Sequence, residues 1–84
     1  MLRIRELRQK VRISQTDLAK IIGISRQSLW NYENDFAEPN ISTLAKIAVV
    51  LECSVDELID FKKIHDELSE DILEMIQKTK KPIL

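Results

Sequence analysis

What this sequence has little of narrows it at once. A single cysteine, Cys53, can form no internal disulfide, so a reducing, cytoplasmic setting is expected. A single histidine, His65, stands apart from that cysteine in the sequence, and no metal-ligand cluster accompanies either. With one glycine in the whole chain, no phosphate-cradling glycine loop exists. These scarcities argue against an enzyme, a metal, a cofactor or a small-molecule ligand. No alternating apolar–polar run or hairpin turn signal is present, which excludes a sheet and leaves an all-α fold. The longest apolar run is Ile47–Leu51, far short of the ~20 residues a membrane helix needs. The N-terminal arginines are not followed by an apolar stretch, so neither a signal peptide nor a membrane partner is expected.

What is present is a chain of 84 residues with ordinary apolar and charged content, enough for one domain with a modest core. Its net charge of −1 hides a strong asymmetry. Residues 1–30 carry seven Arg/Lys against two acids, whereas residues 31–60 carry Lys46 against seven acids. Residues 61–84 balance five against five. A dipolar molecule of this kind can present its basic end to phosphates.

The segment Ser14–Asn34 holds the most information. Ser14 caps a helix whose third position is Asp17, and Leu18, Ile21 and Ile22 supply an apolar face. Gly23 ends that helix, because glycine reaches the left-handed conformation at least cost. Ser25 caps a second helix two residues later, with Ile24 and Leu29 spaced as a hydrophobic staple. Its exposed first turn carries Arg26, Gln27 and Ser28, and Asn31 follows one turn on. Arg and Gln or Asn are the side chains that pair bidentately with guanine and adenine edges in a major groove. Two short helices so arranged form a helix-turn-helix.

The remaining helices follow from the same signals. Ile4, Leu7 and Val11 place a first helix over about Leu2–Val11. Helices two and three run over about Gln15–Ile22 and Arg26–Asn34. Asn40 caps a fourth, with Leu44, Ile47, Ala48 and Leu51 facing the core. Ser54 caps a fifth, with Glu57 completing a capping box. An apolar-Ser-x-x-x-Leu pattern recurs at 13–18, 24–29 and 53–58, which reads as repeated cap chemistry. Phe61, Ile64, Leu68, Ile72, Met75 and Ile76 form an apolar stripe on a C-terminal tail, residues 62–84. Ser69 could start a fresh helix near Glu70 and break that tail in two. Lys78, Lys80 and Lys81, before Pro82, read as a solvated end.

Gln15, Leu18-Ala19, Gly23-Ile24-Ser25, Leu29, Glu33, Pro39, Leu44 and the Ser54–Leu58 segment together resemble the Cro/C1-type helix-turn-helix family. This is the five-helix domain of lambdoid phage repressors and many small bacterial regulators. The resemblance covers roughly Ile4–Ile59. It implies a five-helix lambda-repressor-like DNA-binding domain over residues 1–61, with 62–84 as a helical extension. It implies that Gln15, at the start of helix two, grips a phosphate with help from Thr16. Arg26, Gln27 and Asn31, with Ser28, match base-reading positions, and Asn34 matches a backbone contact. Glu33 matches an acid that pairs with a helix-one arginine, here Arg8. Two positions depart from the family pattern, Arg12 and Asp35, where glycine is usual. The loop Phe36–Glu38 also lacks the usual Lys or Arg.

Trp30 falls on the outer side of helix three, where it can meet sugar-phosphate, a thymine methyl or the 35–38 loop. Tyr32 lies on the Leu29 side and reads as core. The expected function is sequence-specific binding of double-stranded DNA by a dimeric repressor that occludes a pseudo-palindromic operator. The tail would form the homodimer or fold back on its own domain. The alternative is an antitoxin-like or adaptor protein whose tail binds a protein partner.

Overall fold

Side-chain caps decide where most of the helices begin. In the computed structural model, which describes residues 1–80, the helices are α1 (Ile4–Lys10), α2 (Gln15–Ile22), α3 (Arg26–Glu33), α4 (Ile41–Val50), α5 (Val55–Leu58) and α6 (Phe61–Thr79). Ser14, Ser25, Asn40 and Ser54 stand in extended backbone just before α2, α3, α4 and α5. Each accepts the N–H of the third residue beyond it on its side-chain oxygen. Each such bond satisfies one N–H that the helix cannot satisfy itself, and losing it typically costs about 1 kcal/mol. At α5 the box is complete, with the Glu57 carboxylate accepting from the Ser54 N–H as well.

α1 departs from expectation. It starts at Ile4 rather than Leu2 and has no side-chain cap. Leu2 is instead extended and forms an antiparallel bridge with Ile59. The Arg3 N–H donates to Leu58 C=O at 2.7 Å, and the Asp60 N–H to Met1 C=O at 2.8 Å. The start of the chain is thus tied to the junction between α5 and α6, a long-range pairing with no local sequence signal.

Four helices end in the same way. After α1, α2, α3 and α4, a residue with positive φ reverses the chain: Arg12 (62°), Gly23 (77°), Asp35 (62°) and Glu52 (54°). The next N–H then reaches back five residues: Ile13 to Arg8, Ile24 to Ala19, Phe36 to Asn31 and Cys53 to Ala48, all at 2.9–3.1 Å. This is the Schellman closure, and glycine is its favoured reversing residue. Only one of the four has it. Arg12 and Asp35 adopt the conformation glycine would have taken, and Glu52 does so where no departure was expected.

The core is Ile4, Leu7, Leu18, Ala19, Ile22, Leu29, Ile47, Ala48, Leu51 and Leu58, with Val11, Ile13, Ile24, Tyr32, Leu44 and Cys53 packed around it. Tyr32 therefore belongs to the core side. Ile21 does not: it is 61% exposed. The buried positions of α2 are 18, 19 and 22, and Ile21 lies about 100° around the helix from Ile22, beyond that arc.

α6 is one unbroken helix of 19 residues, passing straight through Ser69. It contributes no buried residue, and Leu68, Ile72, Met75 and Ile76 all face solvent. Only its first turn meets the domain, where Ile64 is partly covered beside Leu2, Tyr32 and Leu44. The helix therefore does not fold back, and the molecule measures 55 × 23 × 21 Å. Lys78 and Lys80 stand exposed at its end, while Lys81 and Pro82 lie outside the described residues.

The reversing residues make a paired test. A Cβ at Gly23 would meet no atom within 4 Å, so Gly23→Ala carries only the left-handed strain. It should destabilise by roughly 1 kcal/mol. Glu52→Gly should stabilise by about 0.5–1 kcal/mol, the strain relieved less the extra chain entropy of glycine. Urea midpoints moving in opposite directions would agree with this, and a common direction would contradict it.

Candidate nucleic-acid interface

One carboxylate organises the basic end. The Glu33 side chain, at the last turn of α3, is 0% exposed, and its Oε1 accepts from Arg8 Nε at 2.9 Å. Arg8 is itself only 13% exposed and also donates from Nη1 to Ile13 C=O at 3.1 Å. The second Glu33 oxygen accepts from Gln15 Nε2. Gln15 in turn offers its Oε1 to Arg26 Nε at 3.1 Å. α1, α2 and α3 are thus joined by a chain of side-chain bonds running Arg8–Glu33–Gln15–Arg26. Among the described residues no buried side-chain polar atom is left without a partner.

The three-residue turn Gly23–Ser25 sets α3 against α2. Ala19 is buried on the α2 side and Leu29 on the α3 side, so the small side chain allows close approach. With Leu29 inward, Gln27 lies on the opposite face, and Arg26 is exposed at the first turn of α3. Arg26 uses only Nε internally, and its two terminal nitrogens make no bond to the described residues. Gln27 Nε2 donates to Asn31 Oδ1 at 3.1 Å, so these two expected readers sit side by side, one turn apart. The Ser28 hydroxyl is drawn back into the cap, accepting from Ser25 Oγ at 2.8 Å, and is half-buried.

Thr16 is exposed at the first turn of α2, and Asn34 closes α3. Asn34 donates from Nδ2 to Trp30 C=O at 2.8 Å and accepts from Arg5 Nη2 at 3.1 Å. Arg5 was not singled out from the sequence, although it lies three residues before Arg8 and so shares its helix face. Trp30 borders an open groove with Gln15, Arg26 and Gln27. It stacks on Phe36, with ring centroids 5.4 Å apart and planes 11° apart. Phe36 enters the sequence reading only as the first residue of a loop without Lys or Arg, since an aromatic in a polar loop has no periodic signal for a stack.

Charge elsewhere is quieter. Asp35 receives the Met1 amino group and lies 3.7 Å from Lys63 Nζ, and these contacts hold its carboxyl below the usual carboxylate range. Burial, with the nearby Glu57 carboxylate, pushes the Cys53 thiol up, so it stays protonated at neutral pH. Among the described residues no group of His, Cys, Asp and Glu could hold a metal, and no helix is long and apolar enough to cross a membrane.

Comparison with known proteins bears on the fold that carries this site. The Helix-turn-helix family model matches residues 4–58. The chain is 32% identical over 83 residues to the HTH-type transcriptional regulator ImmR of Bacillus subtilis, covering 93% of this chain and 65% of that protein. It is 37% identical over 57 residues to Repressor protein C2 of Salmonella phage P22, covering 68% of this chain and 26% of that protein. It thus spans less than two thirds of either curated relative. Among solved structures, a SinR protein/SinI protein complex superposes with a TM-score of 0.66 at 29% identity, covering 89% of this chain and 72% of that one.

The network around Glu33 gives a stability prediction. Glu33→Ala would leave Arg8 without its carboxylate partner and free the Gln15 side chain. Breaking a buried pair from one side costs about 3–5 kcal/mol. The variant should therefore lose about 3 kcal/mol or more in denaturant unfolding. A midpoint equal to the parent's would show that the pair is not structural.

Proposed function

The chain belongs to the Cro/C1-type helix-turn-helix family, and on that premise we propose that it is a sequence-specific transcriptional regulator that binds double-stranded DNA as a dimeric repressor in the cytoplasm. The observation that carries this reading is the side-chain chain from Glu33 through Gln15 to Arg26. It holds a guanidinium at the exposed start of α3 whose terminal nitrogens make no bond to the described residues. A helix face that is ordered before binding loses less side-chain entropy on binding.

In this reading α3 enters the major groove. Arg26 takes guanine O6 and N7, while Gln27 and Asn31 take adenine N6 and N7, with Ser28 beside them. Gln15 and Thr16, at the N-terminus of α2, meet a phosphate, where free N–H groups and the helix dipole favour an anion. Asn34, with Trp30 on the same flank, contacts the backbone, and Arg5 beside Asn34 adds charge there. Arg8 and Glu33 act only by fixing the helices. Repression follows from occupancy: a protein seated on the operator excludes polymerase.

The dimer is assigned to α6. Phe61, Leu68, Ile72, Met75 and Ile76 leave an apolar stripe uncovered along a 19-residue helix. Ile64 continues it at the root. Two copies joined there would place two heads on a pseudo-palindromic site with half-sites about 34 Å apart. A second reading is favoured by the solved SinR protein/SinI protein complex. In that reading α6 takes a different protein as its partner, as an adaptor or antitoxin-like chain would.

The test is selection of bound duplexes from a randomised pool using the full chain. Enrichment of a two-fold symmetric motif supports a dimeric operator binder, and no enrichment at low salt overturns the DNA reading. On the recovered site, Arg26→Ala and Gln27→Ala should each remove roughly 1–3 kcal/mol of discrimination at one base pair. Leu68→Glu together with Ile72→Glu should leave the head folded, since both side chains are exposed, yet yield a monomer in sedimentation velocity. A dimer unchanged by that pair of charges would exclude α6 as the self-association surface.

A further inference from the structure

Four helices share one closure, but its apolar residue behaves differently at α3. Ile13, Ile24 and Cys53, which follow the reversing residues of α1, α2 and α4, all pack against the core. Phe36, which follows Asp35, points away from it and is 73% exposed. It makes the apolar contact usual for such a closure, reaching back to the helix. Here, however, the contact is Trp30, itself 41% exposed, and two stacked rings remain in water. Trp30 also borders the groove lined by Gln15, Arg26 and Gln27. An exposed aromatic pair is therefore continuous with the side chains assigned to base reading.

The edges of base pairs in the major groove are donors and acceptors with one apolar exception, the thymine C5-methyl group. The groove beside Trp30 is otherwise polar, so an aromatic wall there has one matching partner. We propose that Trp30 reads a thymine methyl group next to the bases met by Arg26 and Gln27, and that Phe36 is the positioning residue that holds the indole for it. The inference rests on the DNA-binding reading above and adds a preference that hydrogen bonding does not supply. It also gives a use to a loop without Lys or Arg: contact there is apolar, so its contribution is insensitive to salt, unlike that of phosphate contacts.

The test replaces the thymines of the selected duplex by uracil one at a time, which removes the methyl and leaves the pairing edges unchanged. With the full chain, one such replacement per half-site should weaken binding about fourfold, the effect of exposing one buried carbon. Trp30→Ala should bind the thymine and uracil duplexes equally. Phe36→Ala should lose most of the discrimination, and Phe36→Tyr should keep it. A purely structural role for Phe36 would lower affinity for both duplexes alike and leave their ratio intact. Equal affinity of the parent for every uracil duplex overturns the inference while leaving DNA binding in place. Loss of affinity in Trp30→Ala without any thymine–uracil difference does the same and assigns the rings to the sugar-phosphate backbone. Failure to bind any duplex overturns both readings.

Discussion

The carboxylate of Glu33 is the point on which the arrangement of this domain turns. It is fully enclosed, and each oxygen accepts from a different helix, Oε1 from Arg8 of α1 and Oε2 from Gln15 of α2. A charge withdrawn from water is costly, and a buried ion pair often contributes little net stability compared with apolar packing. Its value here is directional. The aliphatic contacts of Ile4, Leu18 and Leu29 hold three helices together but tolerate sliding and rotation. Two charge-assisted hydrogen bonds of fixed geometry do not. Arg8 extends the constraint by also binding Ile13 C=O, just after the chain reversal between α1 and α2. Gln15 extends it outward, because the amide that satisfies Glu33 presents its other end to Arg26. A buried structural group and the exposed Arg26 guanidinium are thus two bonds apart, which is why a single enclosed acid can influence a surface it does not touch.

Much of this was legible in the sequence because the informative signals are local. Ser14, Ser25, Asn40 and Ser54 announce helix starts through cap chemistry that needs only three following residues. The bounds of α2 follow directly, and α3 stops one residue early, with Asn34 as its cap. Helix ends were less legible. A positive φ at Arg12 has no chemical signature and is inferred only from where relatives carry glycine, Asp35 offers a weak hint because aspartate tolerates the left-handed region better than most residues, and Glu52 offers none. The Leu2–Ile59 bridge is invisible for another reason: its partners lie far apart in the chain and its bonds are backbone. Ile21 failed because apolar spacing alone does not say which 100° arc faces inward. Ser69 failed because a serine can cap, yet a helix free of glycine and proline has no reason to stop there.

The candidate site was legible in kind and not in connection. Arg26, Gln27 and Asn31 stand out by residue type, spacing and family resemblance. Nothing in the sequence says that Gln15 is bonded on both sides, that Gln27 and Asn31 are bonded to each other, or that Trp30 is stacked. The first depends on the distance between α2 and α3, which Ala19 and the Gly23–Ser25 turn set jointly; the second depends on side-chain rotamers along α3, and the third on the course of the chain after α3. Side-chain identity is a local property, whereas the order in which side chains satisfy one another belongs to the packed structure.

The root of α6 carries the last consequence. Asp60 caps the helix by accepting from the Lys63 N–H, its own N–H donates to Met1 C=O, and Lys63 lies near the Asp35 carboxylate. Asp35 directly follows Asn34, the cap of α3. The tail is therefore attached beside the end of α3 by several bonds, without a slack linker. A flexible connection would let two heads sample many separations and so dilute the gain from joining them. A helix of 19 residues is roughly 28 Å long, close to one turn of DNA. With its base fixed, the overlap between two such helices would determine the separation and relative rotation of two heads. In the proposed dimer, the spacing of half-sites would be a property of α6, and the identity of their bases a property of α3.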